Sequence, residues 1–152
     1  MTVATPIAEQ TGFMSIYQSE FRGVLRWHQL DELWQQIRGS KSAWYVYAVG
    51  ELPPETAATT TQLDTFITEI DALLRRDHAE DYCGIVYANN IEQPTMVKIF
   101  DPNNLGSSCG SSGRITLPGW ILSTQKPEDL PAAMPAPNNR RRWWQKLFHT
   151  GG

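Results

Sequence analysis

The sequence predicts an α/β (α+β) fold. It should hold a small mixed β-sheet of three to five strands with a βαβ crossover and a β-hairpin, and two main helices packed on one face. Three observations predict it. Two segments carry apolar residues at helical spacing, three short segments are aromatic or β-branched, and these alternate as helix, strand, helix, strand, strand. The chain has 152 residues, 41% hydrophobic and 19% charged. That is enough for one domain with an apolar core, and the composition excludes wholesale disorder, collagen and a disulfide scaffold.

The first twelve residues, 1–12, read as a loose arm, and residues 13–126 as the single globular domain. Phe13 to Arg26 is mixed and apolar, without a clear period, and is expected to dock across the core. Leu30, Leu33, Trp34 and Ile37 follow i, i+3, i+4, i+7, so His28 to Arg38 reads as an amphipathic helix. Asp31 and Glu32 then suit its first turn, and Gly39 a left-handed cap at its end. Trp44 to Val49, ended by Gly50 and Pro53-Pro54, reads as a strand covered on both faces.

Leu63, Phe66, Ile67, Ile70, Leu73 and Leu74 make Thr61 to Asp77 a helix. Thr61-x-x-Asp64 serves as its capping box, and Arg75, Arg76 and His78 suit the dipole at its end. Tyr82 to Ala88 and Thr95 to Phe100 read as strands joined by the hairpin loop Asn89 to Pro94. A helix between the first two strands implies a parallel pair with a right-handed crossover. Pro102 to Gly113 is Gly/Ser/Asn-rich loop, and Trp120-Ile121-Leu122 a short edge strand.

Pro127, Pro131, Pro135 and Pro137 mark residues 127–139 as an extended Pro/Ala-rich linker, with residues 140–152 as a basic aromatic tail. The net charge of −3 hides a polarity. Arg140, Arg141, Arg142 and Lys146 make the end of the chain +4, leaving 9 basic against 16 acidic groups, or −7, in the remainder. An acidic body argues against nucleic acid as a partner.

Two segments carry candidate chemistry. In the loop after Asp101, Gly106, Gly110 and Gly113 free the backbone to turn its N–H groups inward. Ser107, Ser108 and Ser111 add hydroxyls, and Arg114 supplies a fork for a phosphate or carboxylate. This is not a P-loop or a dinucleotide fingerprint, since Pro118-Gly119 follows where a helix should open. The plain alternative is a solvated surface loop. Without an acid at position twelve it is no EF-hand. Cys109, expected to be exposed in the same loop, is the one candidate nucleophile, with His78 and Cys83 read as a helix-end cation and a small buried hydrophobe. His78, Cys83 and Cys109 have no zinc-finger spacing, so no metal or other cofactor is expected. The acidic pairs Asp31-Glu32, Glu80-Asp81 and Glu128-Asp129 read as solvated charges.

In the tail, Trp143, Trp144, Leu147 and Phe148 share one helical arc, with Arg142 and Lys146 facing away. Such a segment suits an anionic membrane surface or a groove on a protein partner, and would fold on meeting it. It can also dock on its own acidic body. The leading expectation is a non-enzymatic cytoplasmic adaptor or accessory protein, peripheral at a membrane in one version. Arg140, Arg141, Arg142, Trp143, Trp144, Lys146, Leu147 and Phe148 would form its contact surface. The rival is an anionic-ligand or thiol-dependent enzyme domain using Cys109 and Arg114. A third expectation is weak self-association through an exposed sheet edge.

Overall fold

The structure, a computed structural model, describes residues 12–103 and 117–133. Among them nine elements follow in order: α1 (Gly12–Tyr17), β1 (Arg22–Val24), α2 (Trp27–Gly39), β2 (Tyr45–Ala48), α3 (Thr60–Asp77), β3 (Val86–Ala88), β4 (Met96–Ile99), β5 (Trp120–Ser123) and α4 (Leu130–Ala133). The fold is mixed α and β, built on one five-stranded sheet in the order β1-β3-β4-β5-β2.

The sheet departs from expectation in two ways. It is not mixed: all four ladders are antiparallel. The parallel βαβ pair is also absent, because β2 lies at the far edge beside β5 and does not touch β3. Helix α3 carries the chain across the sheet rather than to a neighbouring strand. The segment at 120–122, expected at an edge, is the inner strand β5, paired on both sides. The β3–β4 hairpin stands as expected, with Val86 opposite Ile99. Its loop is organised by Asn89, whose Oδ1 accepts the N–H groups of Thr95 and Met96, both at 3.0 Å.

Period-two alternation divides the strands between two faces. One face presents Val24, Val86, Ala88, Val97, Ile99 and Leu122 to α2 and α3, whose Leu30, Leu33, Ile37, Ile67 and Leu74 complete the main core. The two main helices thus share one face, as expected. Helix α2 begins one residue before His28, so Asp31 and Glu32 fall beyond its first turn, and it ends into Ser40 with extended backbone rather than a left-handed glycine. Helix α3 is capped by Thr59 and not Thr61: Thr59 Oγ1 accepts from the Gln62 N–H at 3.1 Å, and Gln62 Oε1 accepts from the Thr59 N–H at 2.9 Å. Arg75 ties the helices together, reaching Asp71 at 3.0 Å and Asp31 at 2.7 Å.

The second face carries a smaller core of Phe13, Met14, Tyr17, Tyr47, Met96, Ile121 and Leu130. The stretch from Phe13 therefore docks as α1 across this face. Residues 127–130 do so too, where an extended linker over residues 127–139 was expected. Pro127 and Leu130 are buried, and the Leu130 N–H donates to Tyr47 Oη at 2.9 Å. A leucine amid prolines finds an apolar bed, and that burial outweighs the stiffness of the segment.

Strand β3 is shorter than the expected Tyr82 to Ala88 because Gly84 has φ of 72°. This left-handed backbone interrupts extended structure and favours glycine. The N–H groups of Cys83 and Gly84 still donate to Leu25 and Val24 carbonyls, at 2.7 and 2.9 Å. Among the described residues no helix is long and apolar enough to cross a membrane.

Candidate functional site

The residues singled out from sequence lie outside the described residues. Gly106, Ser107, Ser108, Cys109, Gly110, Ser111, Gly113 and Arg114 fall between Asn103 and Leu117, and the tail from Arg140 to Phe148 follows Ala133. The chain entering the Gly/Ser loop is described. Asp101 Oδ1 accepts the Asn103 N–H at 2.9 Å, and Asn103 Nδ2 donates to Asp77 at the end of α3, at 3.0 Å.

His78 and Cys83 sit where the plain readings put them. His78 follows α3, its N–H bonded to the Leu74 carbonyl at 2.9 Å and its ring 6.3 Å from Trp27. Cys83 is fully buried, and desolvation pushes its thiol pKa up, which disfavours the nucleophilic thiolate. Among the described residues no cluster of His, Cys, Asp and Glu gathers at metal-binding distance.

The site that the described residues do assemble was not read from sequence. In β4, Val97 and Ile99 are committed to the main core, so alternation turns Lys98 onto the second face. There it stands between Tyr87 of β3 and Ile121 of β5 in the sheet register. Its stem lies along apolar surface, and its ammonium reaches the turn after α1. Lys98 Nζ donates to the Tyr17 carbonyl at 2.9 Å and lies 3.9 Å from the ring centres of both Tyr17 and Phe21. Two ring faces are favourable neighbours for a cation that has lost part of its water.

Each wall has a local cause. Helix α1 stops at Tyr17, and the Ser19 side chain and N–H both bond to the Ile16 carbonyl, at 2.6 and 3.0 Å, turning the chain so that Phe21 closes on Lys98. Tyr17 is stacked on Phe13 at 6.2 Å, and burial pushes its hydroxyl pKa up to about 12. Tyr87 and Phe100 meet edge to face at 5.6 Å. Tyr87 lies over Gly23 of β1, where an added Cβ would come within 3.2 Å of the ring. Together Phe21, Gly84, Ile85, Tyr87, Lys98 and Phe100 enclose a cleft of about 330 Å³.

The electrostatics are one-sided. No carboxylate pairs with Lys98 among the described residues, and desolvation alone lowers its pKa to about 8. A half-buried cation with an uncharged lining can accept an anion. A second cleft, of about 240 Å³ beside Phe66 and Gln62, has no ionisable side chain in its lining. The signal for Lys98 was present in Thr95-Met96-Val97-Lys98-Ile99-Phe100: one lysine inside an otherwise apolar strand. Its partners were not legible, because Tyr17 and Phe21 come from a segment without a clear period. Comparison with protein-family models, with curated proteins and with solved structures gives no match.

Proposed function

We propose that this chain is a non-enzymatic binding domain whose body holds an anionic small molecule at Lys98. One observation carries the reading: Lys98, whose half-buried ammonium is held by one carbonyl and two rings, lines an apolar cleft, and no carboxylate pairs with it among the described residues. The lining offers one cation and no nucleophile paired with a base, which supports binding rather than turnover.

A thermal-shift panel of small organic anions tests this on the full chain. An anion at about 100 times its dissociation constant adds about 2.7 kcal/mol of stability. Stabilisation of the wild type by a panel member, absent in Lys98→Met, is expected. A panel in which no anion acts through Lys98 ends the proposal.

The charge polarity favours a second reading, in which the +4 tail engages a protein partner or an anionic membrane while the −7 remainder stays outside it. The deletion that tests it must begin after Ala133, because an earlier cut removes the buried Leu130. Loss of partner or liposome binding with unchanged melting is the expected result.

A further inference from the structure

We infer that the ligand of the Lys98 cleft is a monocarboxylate carried on a flat apolar body, a free arylalkanoic acid in chemical class, rather than a phosphorylated compound. The inference rests on the anion-binding reading above and narrows it.

The charge argument comes first. Among the described residues Lys98 is the one cationic side chain that lines the cleft. A phosphate monoester carries about −1.5 to −2 at neutral pH, so part of its charge would be taken from water without compensation. A carboxylate carries one charge, matched by one ammonium. Lysine has three N–H donors and Tyr17 takes one, which leaves two for a carboxylate oxygen. The Tyr17 and Phe21 rings lie 3.9 Å from Nζ, and the inference places the carboxylate oxygen on the side where Lys98 lines the cleft.

The shape argument follows. Beyond Nζ the walls are Phe21, Ile85, Tyr87 and Phe100, with Gly84 giving no side chain of its own. Tyr87 and Phe100 lie nearly perpendicular, at 79°, so a planar group inserted beside them meets one ring face and one ring edge, both favourable aromatic arrangements. A cleft of about 330 Å³ has room for roughly eleven waters at about 30 Å³ each, which suits a ligand of about ten to fifteen non-hydrogen atoms. That is the size of one aromatic ring with a short acid arm. A peptide ending in phenylalanine shares this chemistry, but only its last residue would fit.

Isothermal titration of the full chain decides the matter with 3-phenylpropionate, 3-phenylpropanamide, phenyl phosphate, N-acetylphenylalanine and a hexapeptide ending in phenylalanine. The expected result is binding of 3-phenylpropionate at least tenfold tighter than its amide, no gain for phenyl phosphate, and at least a tenfold loss in Lys98→Met with substantial recovery in Lys98→Arg. Comparison of the acid and its amide on the wild type alone keeps the test decisive if a variant folds poorly. Preference for phenyl phosphate through Lys98 overturns the carboxylate assignment and leaves the anion-binding reading standing. Equal affinity for acid and amide overturns the assignment through charge. A hexapeptide that binds tighter than N-acetylphenylalanine overturns the free-acid source in favour of a chain terminus. No binding by any of the anions overturns the anion-binding reading itself.

Discussion

The two faces of the sheet come from the same five strands and are built on different terms. Toward α2 and α3 the strands offer mainly aliphatic side chains, with Trp120 beside them, and the helices answer with leucines, isoleucines and Trp34. On the opposite face, the apolar residues share space with Lys98, the Tyr47 hydroxyl and the Ser123 hydroxyl. Two of these polar groups are fully provided for: Tyr47 Oη accepts from Leu130 and Ser123 Oγ donates to the Gln125 carbonyl at 2.8 Å. Lys98 is served by a carbonyl and two rings without a counter-charge. The main core carries no charged side chain, whereas a face with a half-compensated cation retains a use for a further molecule.

The contrast is most severely tested in the main core. Ile67→Ala, at a fully buried site under the sheet, should cost about 2–5 kcal/mol through lost burial and a residual cavity, read by urea denaturation. A cost under about 1 kcal/mol would mean that this face is less tightly built than described.

On the opposite face, Tyr47→Phe keeps the ring and strips the acceptor from the buried Leu130 N–H. The expected cost is about 1–3 kcal/mol, with new sensitivity to proteolysis at residues 127–133. Unchanged stability would show that α4 does not depend on this hydrogen bond.

Lys98 supplies a test by pH. Burial lowers its amine to about 8 in the fold against an ordinary value of 10.5, so the unfolded chain holds more protons between those values. The contribution of this group to stability is therefore least favourable below about pH 8 and rises toward pH 10.5. The stability of wild type relative to Lys98→Met should move in the wild type's favour from pH 7 to pH 10. The expected movement is on the order of 1 kcal/mol after allowance for screening at a half-exposed group. Tyr17 and Tyr47, both raised by burial, are present in both proteins, so their titration cancels in the comparison. A flat difference would show that Lys98 is not desolvated.

The smallest effect belongs to the outside of the helical layer. Arg38 pairs with Asp64 at 2.8 Å, with both side chains well exposed. Arg38→Ala should change the midpoint of denaturation by no more than about 0.2–1 kcal/mol. A larger loss would extend the main core's influence to its charged rim.

The helices were legible because their partners lie within the same segment. Leu30, Leu33, Trp34 and Ile37 signal a buried stripe whatever covers it, and the strand residues around Val46, Tyr87 and Val97 announce themselves by β-branching and aromaticity. The cap of α3 was misplaced among three consecutive threonines, although Thr59-x-x-Gln62 follows the rule more closely than Thr61-x-x-Asp64. Strand order was not legible. A crossover helix is compatible with several landing points, and nothing local in Trp120-Ile121-Leu122 tells that it lies between two strands. The Lys98 cleft was hidden for a related reason: its cation and its rings come from α1, the turn after it, β3 and β4, and only the sheet register brings them together.

The position of β5 has a consequence for how the chain is made. Among the described residues strand β2 meets no other strand than β5, which is encoded far downstream. On a ribosome adding about 5–20 residues per second, the Trp44 to Val49 segment waits on the order of several seconds before Trp120 to Ser123 emerges. During that interval an aromatic, β-prone stretch has its ladder groups unmatched, the condition under which nascent chains associate with one another. Early arrest of translation before Ser123 should therefore yield insoluble product, while a pause after it should not.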